Sequence, residues 1–588
     1  MLDKIEVSVK NFISKDNSIW VIIAATFLLY FPSIFFDFVN YDDNVYITEN
    51  PVVKNLSLDG VSKIFTQPFN GHYFPVTLLL HGFEYFIFSG SSSGFHLVSI
   101  LLHIFNISIF YFFLRELKFS NQIAFLASLL FALHPIQVES VSWLGARNSL
   151  LASFFAFSSL LYYAEYINSR RWPKLLFSLF LFVLGCLSKS SVVILPIIFF
   201  LLDFYKCRKA YIGLILEKVP FLLISTLFGL IAIRSANLLG SVEDPSNYFS
   251  LINQIFAVFY QIGFFLFQLI FPFNLLVRYF NPELSEGMLP PIYYFSLLII
   301  PIMGASYYFS FNKKLNILGW LWFGASVFLI LKVFFNTNVI GADRYLYFTL
   351  PGLFFILISQ IKKIQTIWLT RIVFLLAVVF SVKTYSQQFV WKDSDTFYEY
   401  VIKTGYGHSE AHLLFSLYQN KKKNFKVSKE HALLATQLKP LNSLNWNGLG
   451  ISYYLANRLD SAEAAFINAY ELDSINAKST YYLGYIYGEQ GKFEEANKFL
   501  LKHLEINPRS EKAYMALGNI EIINKNYRIA ADHYSRVIQL NPTSKVALYN
   551  RGHCYLLLNE KSKACKDLLD AHNLGMKKAD AYLKEYCL

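Results

Sequence analysis

Apolar runs of about twenty residues, separated by short polar stretches, fill the first two thirds of the chain and then stop. Runs at 19–39, 95–114, 121–138, 149–167, 174–187, 190–205, 219–236, 292–310, 316–336, 345–361 and 367–385 approach the ~20 residues a helix needs to cross a bilayer core. The pattern therefore predicts eleven membrane spans. Two further apolar stretches, 73–90 and 251–271, would each invert the orientation if they crossed alone, so both are expected to lie in or near the interface. His72, His81 and Glu84 among the aromatics of the first suit an interfacial helix.

Beyond Trp391-Lys392-Asp393 no run is long enough to span, and a different period takes over. From about residue 409 the chain repeats every 34 residues, seen in Leu438, Leu472, Ile506, Leu540 and Leu574, with Asn507-Pro508 and Asn541-Pro542 in register. Trp446, Leu449, Gly450, Tyr453, Ala462, Phe466 and Ala469 stand where a tetratricopeptide repeat packs its paired helices, and small residues recur at Gly484, Ala496, Gly518, Ala530, Gly552 and Ala564. Small side chains at the eighth and twentieth positions let the two helices of a copy approach. One copy cannot bury its own face, so four good copies after a degenerate first one (His412, Phe415, Ser416) are expected to stack into a superhelix whose concave face binds extended polypeptide. The domain reading is a membrane part at 1–390, a linker at 391–408 and repeats at 409–588, all-α throughout.

Composition agrees: 55% of the 588 residues are hydrophobic and 18% aromatic, with 59 Phe, which excludes an ordinary soluble protein. The net charge of +12, roughly half of it in the repeats, carries no nucleic-acid signature. Basic residues of the membrane part fall in alternate loops, at Arg115/Lys118, Arg170/Arg171/Lys174, Lys206/Arg208/Lys209/Lys218, Lys313/Lys314 and Lys362/Lys363, which orients those loops to the cytosol. The N-terminus, with Lys4, Lys10 and Lys15 and no small-residue cleavage signal, reads as a retained signal anchor. Asp42-Asp43, the 133–147 region, the Arg344 region and the repeats then share the outer side. Of five cysteines, Cys554, Cys565 and Cys587 lie in the repeats without metal-ligand spacing and read as buried thiols.

Candidate chemistry gathers on that outer side. Tyr41-Asp42-Asp43-Asn44 places two adjacent acids just past the first span, where burial would raise at least one of them and suit it to act as a general base. His134, Glu139 and Arg147 lie at the outer end of the third and fourth spans, Lys189 between the fifth and sixth, and Asp343-Arg344-Tyr345 before the tenth. Cations on the outer side run against the charge rule and suggest an anionic ligand. A bilayer enzyme using a lipid-linked phosphosugar needs a carboxylate to deprotonate the acceptor and cations to stabilise the departing phosphate. Asp42 or Asp43 supplies the first and Arg147, Lys189 and Arg344 the second. The bland alternatives are that the acids solvate a loop, Lys189 snorkels, Arg344 pairs with Asp343 and His134 caps a helix. No His/Cys/Asp spacing argues for a metal; a divalent ion is compatible with the chemistry but not required.

Tyr41-Asp42-Asp43, Tyr73-Phe74-Pro75-Val76-Thr77, Gly94-Phe95-His96-Leu97-Val98 with Leu101-Leu102-His103, His134-Pro135 with Glu139-Ser140-Val141-Ser142-Trp143, Gly145-Ala146-Arg147-Asn148 and Arg344-Tyr345-Leu346-Tyr347 together resemble the transmembrane-and-tetratricopeptide O-mannosyltransferase family, in order and spacing over nearly the whole chain. The resemblance implies a GT-C-class glycosyltransferase with about eleven spans, the acid pair in the first outer loop and repeats on the outer side. It implies transfer of a mannose-like sugar from a polyprenyl-phosphate donor to Ser or Thr of a secretory protein, with Asp42 and Asp43 as catalytic acids, Glu139 and Arg147 near them, and His134, Lys189, Arg344 and Tyr345 in the substrate site. The chain departs from the family where Ser190 follows Lys189 and where Ser149 replaces an acid two residues after the arginine.

Two rival readings are a membrane-anchored repeat scaffold without catalysis, which leaves the outer acids and cations unexplained, and a transporter or flippase, which calls for ionisable residues at mid-bilayer rather than at span ends. Phe-, Ile- and Asn-rich usage suggests a bacterial inner membrane with the site and repeats facing the periplasm, though an endoplasmic reticulum protein would obey the same topology.

Overall fold

A computed structural model describes residues 18–208, 212–237, 250–280, 288–331, 339–361, 366–404 and 408–587. The chain divides into two compact units, Met1–Tyr406 and Gly407–Leu588. Both are helical; the described residues add one two-stranded antiparallel sheet, Tyr279–Phe280 with Val339–Gly341, and an isolated bridge between Phe69 and His72. The basic residues of the expected signal anchor, together with Lys209, Lys362 and Lys363, lie outside the described residues.

Among the described residues of the first unit six helices are long and apolar enough to cross a membrane: Ser92–Glu116, Leu144–Ser169, Ile212–Asn237, Ile252–Ile270, Pro291–Phe309 and Trp368–Trp391. A bent pair, Asn121–Leu133 and Pro135–Ser142 meeting at 52°, makes a seventh if taken as one span. Five other apolar helices, Ile19–Phe35, Pro75–Phe88, Trp172–Ser188, Ser190–Tyr205 and Leu350–Ser359, are shorter. Helix length and composition thus do not reproduce the expected eleven. Proline accounts for several of the shortfalls. Pro32 has no N–H for an α-helical bond, so Ile19–Tyr30 tightens into a 3-10 turn at Phe31–Phe35 and then runs extended. Pro135 likewise bends the chain after Leu133.

The basic loops converge on one end of this bundle. The Glu116 carbonyl accepts bonds from Asn168 Nδ2 (3.2 Å) and Lys206 Nζ (3.3 Å), and Lys314 Nζ lies 2.9 Å from Cys207 Sγ. A buried ionic lattice holds the same end. Arg208 donates to Asp203 Oδ1 and Glu217 Oε2, each at 2.9 Å, Lys218 pairs with both acids, and the Tyr163 and Tyr166 hydroxyls donate to Asp203 and Glu217 at 2.8 Å. The Asp42-Asp43 loop is at the opposite end.

The two stretches expected at the interface are helices Pro75–Phe88 and Leu251–Ile270. The first stays at the acidic-loop end, where Thr77 Oγ1 donates to the Ser188 carbonyl at 3.0 Å and Glu84 pairs with Arg147. The second has the length and composition to span. Its anchors nevertheless sit toward the acidic-loop end: the Phe256 carbonyl accepts from Ser296 Oγ (3.2 Å) near the start of Pro291–Phe309, and the Leu269 carbonyl meets His134 Nε2 at 2.9 Å. The stretch expected as a linker is largely part of the first unit. Trp391 stacks on Trp143 with ring centroids 5.0 Å apart, and helix Ser394–Lys403 packs under the acidic loop.

The second unit is a stack of helix pairs: His408–Lys421 with Phe425–Leu438, Ser443–Leu455 with Leu459–Leu472, Ala477–Glu489 with Phe493–Ile506, Glu511–Ile523 with Tyr527–Leu540, and Lys545–Leu557 with Lys561–Asn573. The glycines act as the spacing requires. A Cβ on Gly450, Gly484 or Gly518 would stand 2.7 Å from Phe466, Leu500 or Tyr534 of the partner helix. Ala462, Ala496, Ala530 and Ala564 are fully buried opposite them.

Candidate functional site

The segment after the first helix is extended at Phe36, so its backbone needs partners from elsewhere. Asp37 N–H donates to the Lys392 carbonyl (2.8 Å), Asn40 N–H to Ser394 Oγ (2.9 Å), and the Asn40 and Tyr41 carbonyls accept from the Tyr398 hydroxyl (2.7 Å) and Trp143 Nε1 (3.1 Å). In this fixed loop the two acids differ. Asp43 is 1% exposed; one carboxylate oxygen accepts from Val39 N–H at 2.8 Å and the other from Gly145 N–H at 2.7 Å. Burial pushes its carboxyl up to about 7, against those two bonds. Gly145 suits this contact because a Cβ there would meet the Trp143 indole at 2.9 Å. Asp42, in the left-handed region at φ 79°, is half-buried, and among the described residues its carboxylate makes no hydrogen bond or ion pair. Asp43 locks the loop, and the Asp42 carboxylate is left without a partner among the described residues.

Cations stand beside it. Glu139 accepts from Arg344 through both the backbone N–H (2.7 Å) and the guanidinium (2.5 Å), which holds the guanidinium carbon over the rings of Trp143 (5.1 Å) and Tyr345 (4.9 Å). Lys189 donates to Ser149 Oγ at 2.7 Å and lies 5.5 Å from the centre of the same Tyr345 ring. Burial, and then the Arg344 charge, bring the Lys189 amine down to about 7. His72, lowered by burial and by Lys189, is within electrostatic reach of Asp42, Lys189 and Arg344 alike. Asp343 turns inward instead, accepting from the Tyr279 hydroxyl at 2.8 Å, and burial with the nearby Glu139 holds its carboxyl well above the usual range. It is not the partner of Arg344. Among the described residues no three His, Cys, Asp or Glu side chains converge as a metal site.

Two expected substrate residues are placed otherwise. Arg147 is 0% exposed, with Nε donating to Ser99 Oγ (3.1 Å) and its other nitrogens to Glu84 and the Phe95 carbonyl. It is an internal anchor for three helices, fully buried and with each of its three nitrogens engaged inside the protein. His134 caps the turn Pro135–Gln137, accepting from Ile136 N–H at 3.2 Å, while its other ring nitrogen meets the Leu269 carbonyl at 2.9 Å. The structure therefore joins Asp42, Asp43, Glu139, Lys189, Arg344 and Tyr345, and leaves Arg147 and His134 behind them as supports. Trp143, Tyr41 and Ser149, named in the sequence reading without a site role, also belong to this site, as does Arg278, which it did not name and whose guanidinium carbon lies 5.2 Å from the Tyr41 ring centre. Glu84 was visible as an acid inside an apolar run, but its partner was not.

Residues 71–234 match the family model described as dolichyl-phosphate-mannose-protein mannosyltransferase, and 447–511 match a tetratricopeptide repeat. Protein O-mannosyl-transferase TMTC3 of Homo sapiens is 23% identical over 562 residues, 87% of this chain and 58% of its own length. The chain resembles the transmembrane-and-tetratricopeptide O-mannosyltransferases. Another relative, Protein O-mannosyl-transferase F38B6.6 of Caenorhabditis elegans, is 26% identical over 422 residues, 65% of this chain and 57% of its own. The chain thus spans rather more than half the length of these O-mannosyltransferases. The matched mannosyltransferase segment contains Glu84, Glu139, Arg147 and Lys189.

Proposed function

We propose that this chain is an integral-membrane glycosyltransferase that moves a mannose-like hexose from a polyprenyl-phosphate donor to Ser or Thr hydroxyls of exported protein, which the repeats capture. The observation that carries the reading is an Asp42 carboxylate without a partner among the described residues, on a loop locked by Asp43 and next to Lys189 and Arg344 sharing the Tyr345 ring. The acceptor oxygen attacks the anomeric carbon as Asp42 takes the hydroxyl proton. The bond from that carbon to the phosphate oxygen breaks with inversion, and its electron pair leaves on the polyprenyl phosphate, whose charge Lys189 and Arg344 stabilise. Glu139 acts through Arg344 by fixing the guanidinium. The phosphate is already a good leaving group, so no step calls for a metal.

The named relatives, both called protein O-mannosyl-transferases, support the mannosyl donor and the protein acceptor. The convergence of basic loops at the far end of the bundle supports a non-cytosolic site, in a bacterium the periplasmic face of the inner membrane. The test is to incubate purified protein in lipid with a panel of polyprenyl-phosphate sugars and an acceptor peptide. Consumption of a mannosyl or related hexosyl donor is expected, and a folded protein that consumes none refutes the proposal.

A further inference from the structure

The catalytic reading leaves the cysteines unused. Cys565 in Lys561–Asn573 and Cys587 at the end of Leu583–Cys587 have Cα atoms 5.6 Å apart and their sulfurs bonded, a separation within the range a disulfide bridges. Segment 579–587 begins 34 residues after Lys545, in the register of the first helix of another copy. It has only short helical turns, Ala579–Tyr582 and Leu583–Cys587, too few for an isolated helix to hold. Yet it covers apolar surface: Ala579, Met576, Tyr582 and Leu583 pack with Leu548, Leu568 and Ala571 of the preceding pair. Tyr582 lies over Tyr549 (5.9 Å) and His553 (5.4 Å), and Asp580 pairs with His572 at 2.6 Å. An exposed, partly open segment is held in place by a covalent bond to the helix beneath it.

The other cysteines are distributed in a telling way. Cys554 and Cys186 are buried free thiols, and the exposed free thiol, Cys207, stands at the basic end of the bundle, the end the charge rule assigns to the reducing cytosol. We propose that Cys565–Cys587 is an oxidatively installed crosslink that clasps segment 579–587 onto the last repeat, and that the repeats therefore fold in an oxidising, non-cytosolic compartment. Formation removes two protons and two electrons from the thiols. The oxidant is a protein disulfide of the dithiol-exchange class: one cysteine attacks it to form a mixed disulfide, the other resolves that bond, and the donor leaves as a dithiol.

The experiment uses the full chain in its native membrane. Free thiols are blocked with N-ethylmaleimide under denaturing acid-quench conditions, the sample is reduced, and newly released thiols are tagged with polyethylene-glycol maleimide. Two tags are expected, and none in the Cys565→Ser/Cys587→Ser variant; no tags in the parent overturns the proposal. Hydrogen exchange of purified protein reads the clasp: reduction is expected to speed exchange at 579–587 by about tenfold or more while 443–506 is unchanged, and equal rates overturn the clasp. In intact cells given an impermeant reductant and impermeant maleimide, Cys565 and Cys587 are expected to label and Cys207 not to; the reverse overturns the compartment. None of these readouts needs sugar transfer, so their failure and failure of the transferase proposal are separable.

Discussion

Asp42→Asn removes a charge and a basic oxygen while keeping the shape of the side chain. Because the Asp42 carboxylate makes no hydrogen bond or ion pair among the described residues, the change leaves the loop's anchors to Lys392, Ser394, Tyr398 and Trp143 intact. Its stability cost is therefore that of an ordinary surface change, within about 0.5 kcal/mol. Loss of a positioned general base lowers transfer by about 10²–10⁴-fold, or roughly 3–5 kcal/mol of transition-state stabilisation. Asp43→Asn behaves in the opposite order. An amide turns an N–H toward either Val39 N–H or Gly145 N–H, which now hold the carboxylate at 2.8 and 2.7 Å. One buried backbone donor is left unpaired at a cost of about 1–3 kcal/mol. Thermal unfolding in detergent and steady-state transfer to a Ser/Thr peptide separate the two. Asp42→Asn is expected to unfold with the parent and to lose kcat. An Asp42→Asn protein with activity within about threefold of the parent refutes the assignment of the base, whatever Asp43→Asn does.

The raised Asp43 carboxyl has a thermodynamic counterpart. The unfolded acid ionises near 3.8 and the native one near 7, so the native state holds the extra proton between these values and stability falls as pH rises through that window, by about 4 kcal/mol at most. Asp43→Asn is expected to flatten this slope in denaturant titrations, and an unchanged slope rejects the burial argument. Lys189, held near 7, is charged below that pH and neutral above it, so kcat/KM for the lipid donor falls as pH rises from about 6 to 8. Lys189→Arg, always charged, is expected to remove this limb. Arg147→Ala leaves Glu84 buried without its cation and costs about 3–5 kcal/mol, so melting drops steeply while the donor KM of the surviving folded fraction holds. A raised KM with parental stability returns Arg147 to the substrate site. In the repeats, Gly518→Ala drives a methyl to 2.7 Å from Tyr534 and costs about 1–3 kcal/mol of that unit's stability in urea.

What could be read from the chain before folding was what repeats locally. The 34-residue period named the glycines and alanines at helix crossings because each copy meets its own partner helix within about twenty residues, as Gly518 meets Tyr534. Alternation of basic loops likewise needs only the count of runs between them. The site is made of pairs far apart in sequence, Asp43 with Gly145 across 102 residues, Glu84 with Arg147 across 63 and Glu139 with Arg344 across 205. Periodicity carries no information about these. A single charge in an apolar run announces that a counter-charge exists, since burial without one is too costly. Glu84 made that announcement, and Arg147 was counted for a phosphate when its charge was already committed inside the protein. The same rule bears on Lys189, whose amine donates to Ser149, a neutral hydroxyl, so that in the proposed reaction its charge faces the donor phosphate. In the proposed transferase, a buried cation facing a hydroxyl and an aromatic ring is where the phosphate of the lipid-linked donor brings its negative charge.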